Sequence, residues 1–341
     1  MINLSKEVTA SISSNEAAAG WSGVCVREKT LGVVDIGSNT VHLLVARTDG
    51  RRVEPLVDIS EGLRLGNDIN DTGALSDEKL QALVGTLIAF RDEALKHMPQ
   101  DIHLLATQAI RAATNRERIV ELIKSKVSLP VDVLTSEQEA EYSFLGADLA
   151  CPSVGVQVMV DIGGGSMQVA LGHNGHAGKS VSLPLGAAWV THQILQSDPP
   201  TYLEEAHLVT HLAETIPPAL PSSDSAITGL LGVGGTLRRT PILLGLKVGE
   251  IYPQDALERM LALVRGRSSD ELAAAFELKP ERARLLLPGL LVVREVLRGY
   301  GNPPLIMSPY GVREGAILML ARYPLTALQS RTQLDGDAEV V

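Results

Sequence analysis

Two aspartates end apolar runs and open turns of small residues. Asp35 lies in "LGVVDIGSNTVHLLVA" and Asp161 in "VQVMVDIGGGSMQVALG". Ile-Gly follows each acid. The first turn is then Gly37-Ser38-Asn39-Thr40 and the second Gly163-Gly164-Gly165-Ser166. Glycines let backbone amides approach a ligand closely. A run of such amides can cup a phosphate, and an adjacent carboxylate can hold Mg²⁺ directly or through water. The chemistry is therefore phosphate and metal handling, provided that both turns face one cleft. Taken alone, either copy is equally well explained as a tight hairpin whose Asp accepts turn amides. Repetition favours a site. So does a third stretch, "LGVGGTLRRT", where Gly234-Gly235-Thr236 follows an apolar run and can bind an anion at a helix start. None of the three is a P-loop or a dinucleotide fingerprint.

Glu139 stands in "TSEQEA". Its spacing from Ser136 predicts a capping box, a structural duty rather than a chemical one. His42 sits among Val and Leu and reads as a packed or strand-edge histidine. Cys151 precedes Pro152 and reads as core or linker.

These residues need elements to position them. Leu31–Ile36, Val41–Ala46 and the "RRVEPLVDIS" segment predict a three-stranded meander. "SDEKLQALVGTLIAFRDEALKHM" has a Ser cap, an acidic first turn and Leu80, Leu83, Leu87 and Phe90 at helical spacing. "IHLLAT" predicts a strand, "RERIVELIKSKV" after "QAIRAATNR" a helix, "VDVLT" a strand, and Ser136–Ala150 a helix. The plan then restarts at Gly155. A strand–turn–strand is followed by a helix near Gly186 and another in "PTYLEEAHLVTHLAETI", with "LGVGGT" after a strand. Helices are expected in "DALERMLALVRG", "DELAAAFEL" and "ERARLLLPGLLVVREVLRGY", then a last strand and a closing helix. Proline pairs at 199–200, 217–218 and 303–304 are expected to interrupt these elements. The expected organisation is a flexible extension over 1–30, one α/β domain over 31–150, a second over 151–310, a closing helix over 311–328 that packs on the first domain, and a flexible tail over 329–341.

The chain has 341 residues, 45% of them apolar and only 3% aromatic, so packing must rest on Leu, Val, Ile and Ala. A net charge of -10 argues against a general nucleic-acid binder, though not against an anion held in a local pocket. Two cysteines, Cys25 and Cys151, support neither a disulfide framework nor a thiolate metal cluster. There is no membrane-length apolar run and no basic-then-apolar leader, so a cytoplasmic protein without membrane partners is expected.

In combination the three turns resemble those of the actin/Hsp70/sugar-kinase superfamily. More closely, the chain resembles the exopolyphosphatase and guanosine pentaphosphate phosphatase (Ppx/GppA) family. "EGLRLG", "ATQAIRAATN", "VLTSEQEAEYSFLGA", "SLPLGA", "GVGGT" and "SPYGVREG" follow in family order. The resemblance runs from about residue 30 to residue 319. It implies an α/β fold of two ribonuclease-H-like (actin-like ATPase) domains with a phosphate-binding cleft between them. It further implies Mg²⁺, with Mn²⁺ as a second option, and a homodimer.

Residue by residue, the resemblance makes Glu139, the Glu before Ala, the group that aims or deprotonates water. It makes Asp161 the metal carboxylate and Asp35 its counterpart. The phosphate donors would be Gly37, Ser38, Asn39 and Thr40 on one side, Gly163, Gly164, Gly165 and Ser166 on the other, and Gly234, Gly235 and Thr236 as a third contact. Arg111, with Asn115 in the same segment, would clamp phosphate through a fork that Lys cannot reproduce. Arg64 is a second clamp or, equally, a solvated strand-end arginine. Arg238 and Arg239 bind a chain or start an exposed helix. Arg313 and Glu314 read most simply as an internal salt bridge.

Several positions depart from the family pattern: Gln108 for Ser, Ala112 for Asp, Thr135-Ser136 for Ser-Gly, Gln138 for an acid and Glu141 for Arg. The leading expectation is exopolyphosphatase action on inorganic polyphosphate. Guanosine pentaphosphate hydrolysis is the alternative, and a phosphate-ligand sensor with weak turnover a further one. Longer family members carry an additional helical domain, and this chain resembles the short two-domain form.

Overall fold

The computed structural model describes residues 27–152 and 154–322. Most of the expected extension, Cys25 and the tail from residue 323 lie outside the described residues.

The first half contains β1 (Lys29–Ile36), β2 (Val41–Thr48), β3 (Val53–Glu61), α1 (Leu65–Thr72) and α2 (Asp77–Leu95). It continues with β4 (Asp101–Ala106), α3 (Gln108–Ala112), α4 (Arg116–Val127), β5 (Val131–Val133) and α5 (Ser136–Ala150). The second contains β6 (Val156–Ile162), β7 (Met167–His173), β8 (His176–Leu183), α6 (Ala187–Gln193), α7 (Tyr202–Ala219), β9 (Ile227–Val233) and a 3-10 helix (Leu237–Leu244). Then come α8 (Ala256–Val264), α9 (Ser269–Phe276), α10 (Pro280–Ala283), α11 (Leu286–Gly299), β10 (Leu305–Met307) and α12 (Val312–Arg322).

The two sheets have one topology. The first runs β3-β2-β1-β4-β5 and the second, read in the same sense, β8-β7-β6-β9-β10. In each, an antiparallel meander is extended by two parallel strands. The repeated acidic hairpins thus mark the first two strands of the same unit built twice.

Period-two alternation gives each sheet two buried faces. Val34 and Ile36 of β1 join Leu83 and Leu87 of α2 in one core, whereas Leu31 and Val33 join Ala316 and Ile317 of α12 in another. On the second sheet, Met159 and Ala170 pack on Phe144 and Ala147 of α5. The last helix of each half therefore lies on the other half's sheet. Where α5 and α12 cross, Gly146 meets the Gly311 carbonyl and Gly315 the Tyr142 carbonyl, with no room for a Cβ.

Local readings differ from the structure at four points. The α5 cap is Thr135, whose hydroxyl accepts from the Gln138 amide while Gln138 Oε1 accepts from the Thr135 amide. The box sits one residue earlier than the Ser136–Glu139 spacing suggested, because Thr135 and Gln138 satisfy the same pattern. Helix α1 was not foreseen, since Gly66, Asn67, Asn70 and Asp71 are poor helix formers. Tertiary contacts form it: Leu65 is buried and the Gly66 amide donates to the Ser38 carbonyl at 2.7 Å. Pro217 and Pro218 lie within the last turn of α7 rather than interrupting it, so the missing N–H groups cost only terminal hydrogen bonds. The expected helix "ERARLLLPGLLVVREVLRGY" divides into α10 and α11.

Candidate active site

Four central strands end at one cavity. Asp35 is the penultimate residue of β1 and Asp161 of β6; Thr107 follows β4 and Gly234 follows β9. The cavity has a volume of about 130 Å³. All three glycine turns line it, with Gly37 to Thr40, Gly163 to Ser166 and Gly234 to Thr236 each contributing, beside Asp35, Asp161 and Glu139.

The first two turns close in the same way. The Gly37 amide donates to the Thr40 carbonyl at 3.2 Å and the Gly163 amide to the Ser166 carbonyl at 3.0 Å. The start of α6 holds the second turn by its carbonyls: the Ala187 amide donates to Gly163 and the Trp189 amide to Gly164. Close packing bears on two of the turn glycines. Gly234 has φ 102°, and a Cβ there would press on the Ile162 carbonyl. A Cβ on Gly165 would strike the Gln108 side chain, whose Oε1 already accepts from Ser38 Oγ at 2.8 Å. The Gln108 departure thus ties the first turn to the wall that faces the second.

Helix α5 delivers two groups from one face, since residues four apart stack. Ser143 Oγ donates to Asp161 Oδ2 at 2.5 Å. Glu139, one turn earlier and released from capping by Gln138, faces the cavity. Burial pushes the Glu139 carboxyl up to about 7; Arg111 opposes that shift, and the charges of Asp161 and Asp35 add to it. Arg111 does not line the cavity. Its Nη1 and Nη2 donate to Glu139 Oε2 at 3.2 and 3.1 Å, and Nη1 donates to the Leu134 carbonyl at 2.7 Å. Its place is behind the candidate base. Asn115 is likewise structural, joining the Leu75 carbonyl and amide through its side-chain amide. Arg64 also lies outside the cavity, in an adjoining hollow.

Asp161 is buried and Asp35 half-buried. Burial is the largest cause of a shift that raises Asp35 to about 7, with Arg313 opposing it, and burial likewise raises Asp161. Asp35 Oδ1 is buried with no hydrogen-bond partner. Among the described residues no cluster of three or more His, Cys, Asp or Glu could hold a metal alone. Mg²⁺ needs no such cage: one or two carboxylates beside substrate phosphates and water suffice. The orphaned Asp35 oxygen and the all-oxygen donor set fit that ion.

Residues that the sequence reading gave other or alternative duties, and one it missed, Arg282, complete the wall. Arg238 and Arg313 line the cavity, as do His42, Glu314 and Arg282 of α10. Arg313 pairs with Glu314 as expected, Nη2 lying 3.7 Å from its carboxylate, and it also makes a shorter pair with β3, Nη1 lying 2.5 Å from Asp58 Oδ1. Arg238 Nη1 donates to the Pro309 carbonyl at 2.8 Å. Arg239 turns back to the Gly235 carbonyl. Arg282 Nη2 donates to Thr40 Oγ1 at 3.0 Å, joining the second half to the first turn. Burial and three nearby arginines push His42 down to about 3, which keeps its imidazole neutral. No local pattern marks Arg282, because α10 has only four residues.

No helix among the described residues is long and apolar enough to cross a membrane. A sequence model of the Ppx/GppA phosphatase family matches residues 44–323. Exopolyphosphatase 1 of Mycobacterium tuberculosis is 28% identical over 299 residues, covering 84% of this chain and 87% of that protein. The guanosine-5'-triphosphate,3'-diphosphate pyrophosphatase of Photobacterium profundum is 26% identical over 326 residues, covering 89% of this chain and 63% of that protein. A crystal structure of the Aquifex aeolicus Ppx/GppA family member shares the fold with a TM-score of 0.76 at 24% identity, covering 89% of this chain and 99% of that one. The chain is a hydrolase of that type: it belongs to the Ppx/GppA phosphatase family and has the two-domain actin/Hsp70/sugar-kinase-like fold.

Proposed function

We propose that the protein is an exopolyphosphatase, which hydrolyses the terminal phosphoanhydride bond of inorganic polyphosphate and releases orthophosphate. One observation carries this reading. A carboxylate raised to about 7, Glu139, faces a cavity walled by three glycine turns and lined by Arg238, Arg282 and Arg313. A base poised near neutrality suits proton transfer from water.

In the proposed reaction, the turns and Arg238 and Arg282 hold the terminal phosphoryl oxygens. Glu139 accepts a proton from the water whose oxygen bonds to phosphorus as the bridging P–O bond breaks. The electron pair of that bond leaves with the shortened chain. Arg111 keeps the Glu139 carboxylate aimed. Asp35 and Asp161 would hold Mg²⁺, directly or through water; when bound, the ion offsets phosphate charge and polarises the phosphoryl group. Most catalysis of this kind is positioning and electrostatics.

Guanosine pentaphosphate is the second reading, favoured by the resemblance to the Photobacterium profundum protein. Both substrates present the same reacting end, so they differ only beyond the central cavity. The test offers purified protein short polyphosphate, long polyphosphate, guanosine pentaphosphate and ATP, with and without Mg²⁺. Mg²⁺-dependent phosphate release from polyphosphate is expected. Turnover of the pentaphosphate far above that of polyphosphate would reverse the ranking.

A further inference from the structure

A second hollow opens beside the catalytic cavity. Its volume is about 470 Å³ against about 130 Å³ for the cavity, and the two share Asn39 and Leu285 in their walls. Small-molecule sites commonly span about 300–1,000 Å³. The cavity therefore suits the reacting end of a substrate, and the hollow what lies behind it.

We infer that this hollow is the subsite for the non-reacting remainder of a short inorganic polyphosphate chain, with Arg64 as its anchoring cation. The inference rests on the exopolyphosphatase reading and deepens it.

Arg64 is the wall's uncommitted positive charge. Arg284 is already held, with Nη1 3.1 Å from Asp198 Oδ2 and Nη2 donating to the Gln196 carbonyl at 2.8 Å. His192 Nε2 lies 3.5 Å from Asp71. Arg64 is exposed in the hollow, and no ion pair or side-chain hydrogen bond of its own ties it elsewhere among the described residues. Its backbone is fixed to the phosphate turn, since its amide donates to the Asn39 carbonyl at 2.9 Å. It also holds φ 52°, a left-handed conformation that glycine would adopt more readily. A side chain kept in such a conformation is a pointer to function.

The wall also argues for a phosphate chain over a nucleoside. It contains no Phe, Tyr or Trp for a base to stack on, and its one aromatic ring, His192, lies 3.5 Å from Asp71. Its amide donors Asn39 and Asn67 suit phosphate oxygens, whereas the Thr191 hydroxyl already donates to the Ala187 carbonyl at 2.8 Å. Exposed Glu281 is the opposing charge in the same wall, and its repulsion would weaken the grip on a polyanion.

The test compares KM and kcat of the full chain with tripolyphosphate and with a longer linear polyphosphate. Arg64→Ala is expected to raise KM for the longer chain about fivefold, the size of one partly exposed charge-assisted contact. The loss should fall on KM rather than kcat, and should be smaller for tripolyphosphate. Arg64→Gly should show the same kinetic loss with an unchanged or higher Tm, which separates binding from folding. Glu281→Gln should lower KM for the longer chain. An active wild-type protein whose KM is unmoved by Arg64→Gly would overturn the subsite alone. A wild-type protein inert on polyphosphate yet active on guanosine pentaphosphate would overturn the function and the subsite together.

Discussion

Arg111 grips the very carboxylate that is placed to activate water: its Nη2 lies 3.1 Å from Glu139 Oε2. The sequence resemblance suggested an arginine for phosphate, but the guanidinium is spent on Glu139 and on the Leu134 carbonyl. Arg111 therefore acts through Glu139, both aiming it and drawing its proton affinity down against the effect of burial. Arg111→Ala should lower kcat by about 10- to 100-fold with a smaller change in KM. It should also move the acidic limb of the pH–rate profile upward, a shift that a loss of phosphate binding would not produce.

The Glu139 value of about 7 fixes the direction of the pH dependence. The base works ionised, so kcat/KM should rise with pH through about 7 and level off above it. A profile already flat between pH 5 and pH 8 would contradict this role.

Buried carboxylates also make the site costly to fold. Asp35 moves from 3.8 to about 7, so between those values the folded chain binds a proton that the unfolded chain has released. Stability from this group is therefore fully present below about pH 4 and lost as pH rises through 7. Asp35→Asn should abolish hydrolysis while stabilising the protein at pH 8, on the order of 2 kcal/mol. The gain should shrink at pH 5. Calorimetry at the two pH values checks the sign.

Capping and catalysis are divided between neighbours on α5. Gln138→Ala should cost about 1 kcal/mol of stability through the lost box and leave kcat nearly unchanged. Glu139→Gln should do the reverse. Thermal melts and initial rates on the two variants separate these roles.

The crossing of α5 and α12 places Glu139, and it depends on absent side chains. A Cβ on Gly315 would collide with the Tyr142 carbonyl, which is backbone and cannot step aside. Gly315→Ala should destabilise the protein by about 2–3 kcal/mol and depress kcat by shifting α5. Tm and kcat falling together is the expected outcome.

Much of the site could be read from the chain because its turns are local. Asp35 with Gly37 to Thr40, and Asp161 with Gly163 to Ser166, each fit one hairpin, and their repetition announced a paired site. Both turns line the cavity with Gly234 to Thr236. The meander strands and α2 were legible for the same reason, their apolar spacing being contained in short windows. What failed to show was assembled at a distance. Arg282 reaches Thr40 across 242 positions. Arg313 finds Asp58 across 255. The cap of α5 sits one residue before the Ser136–Glu139 spacing because two overlapping windows satisfy the same pattern. Helix α1 has weak intrinsic propensity and forms against the Ser38 turn, which no local signal records.

The central claim is that Glu139 activates water while other groups bind phosphate. The most direct test measures Mg²⁺-dependent phosphate release from polyphosphate by wild type and Glu139→Gln, with binding of a polyphosphate ligand measured on both. Turnover should fall by at least about 10²-fold while the dissociation constant stays within a few-fold of wild type. Equal turnover in the variant would contradict the account.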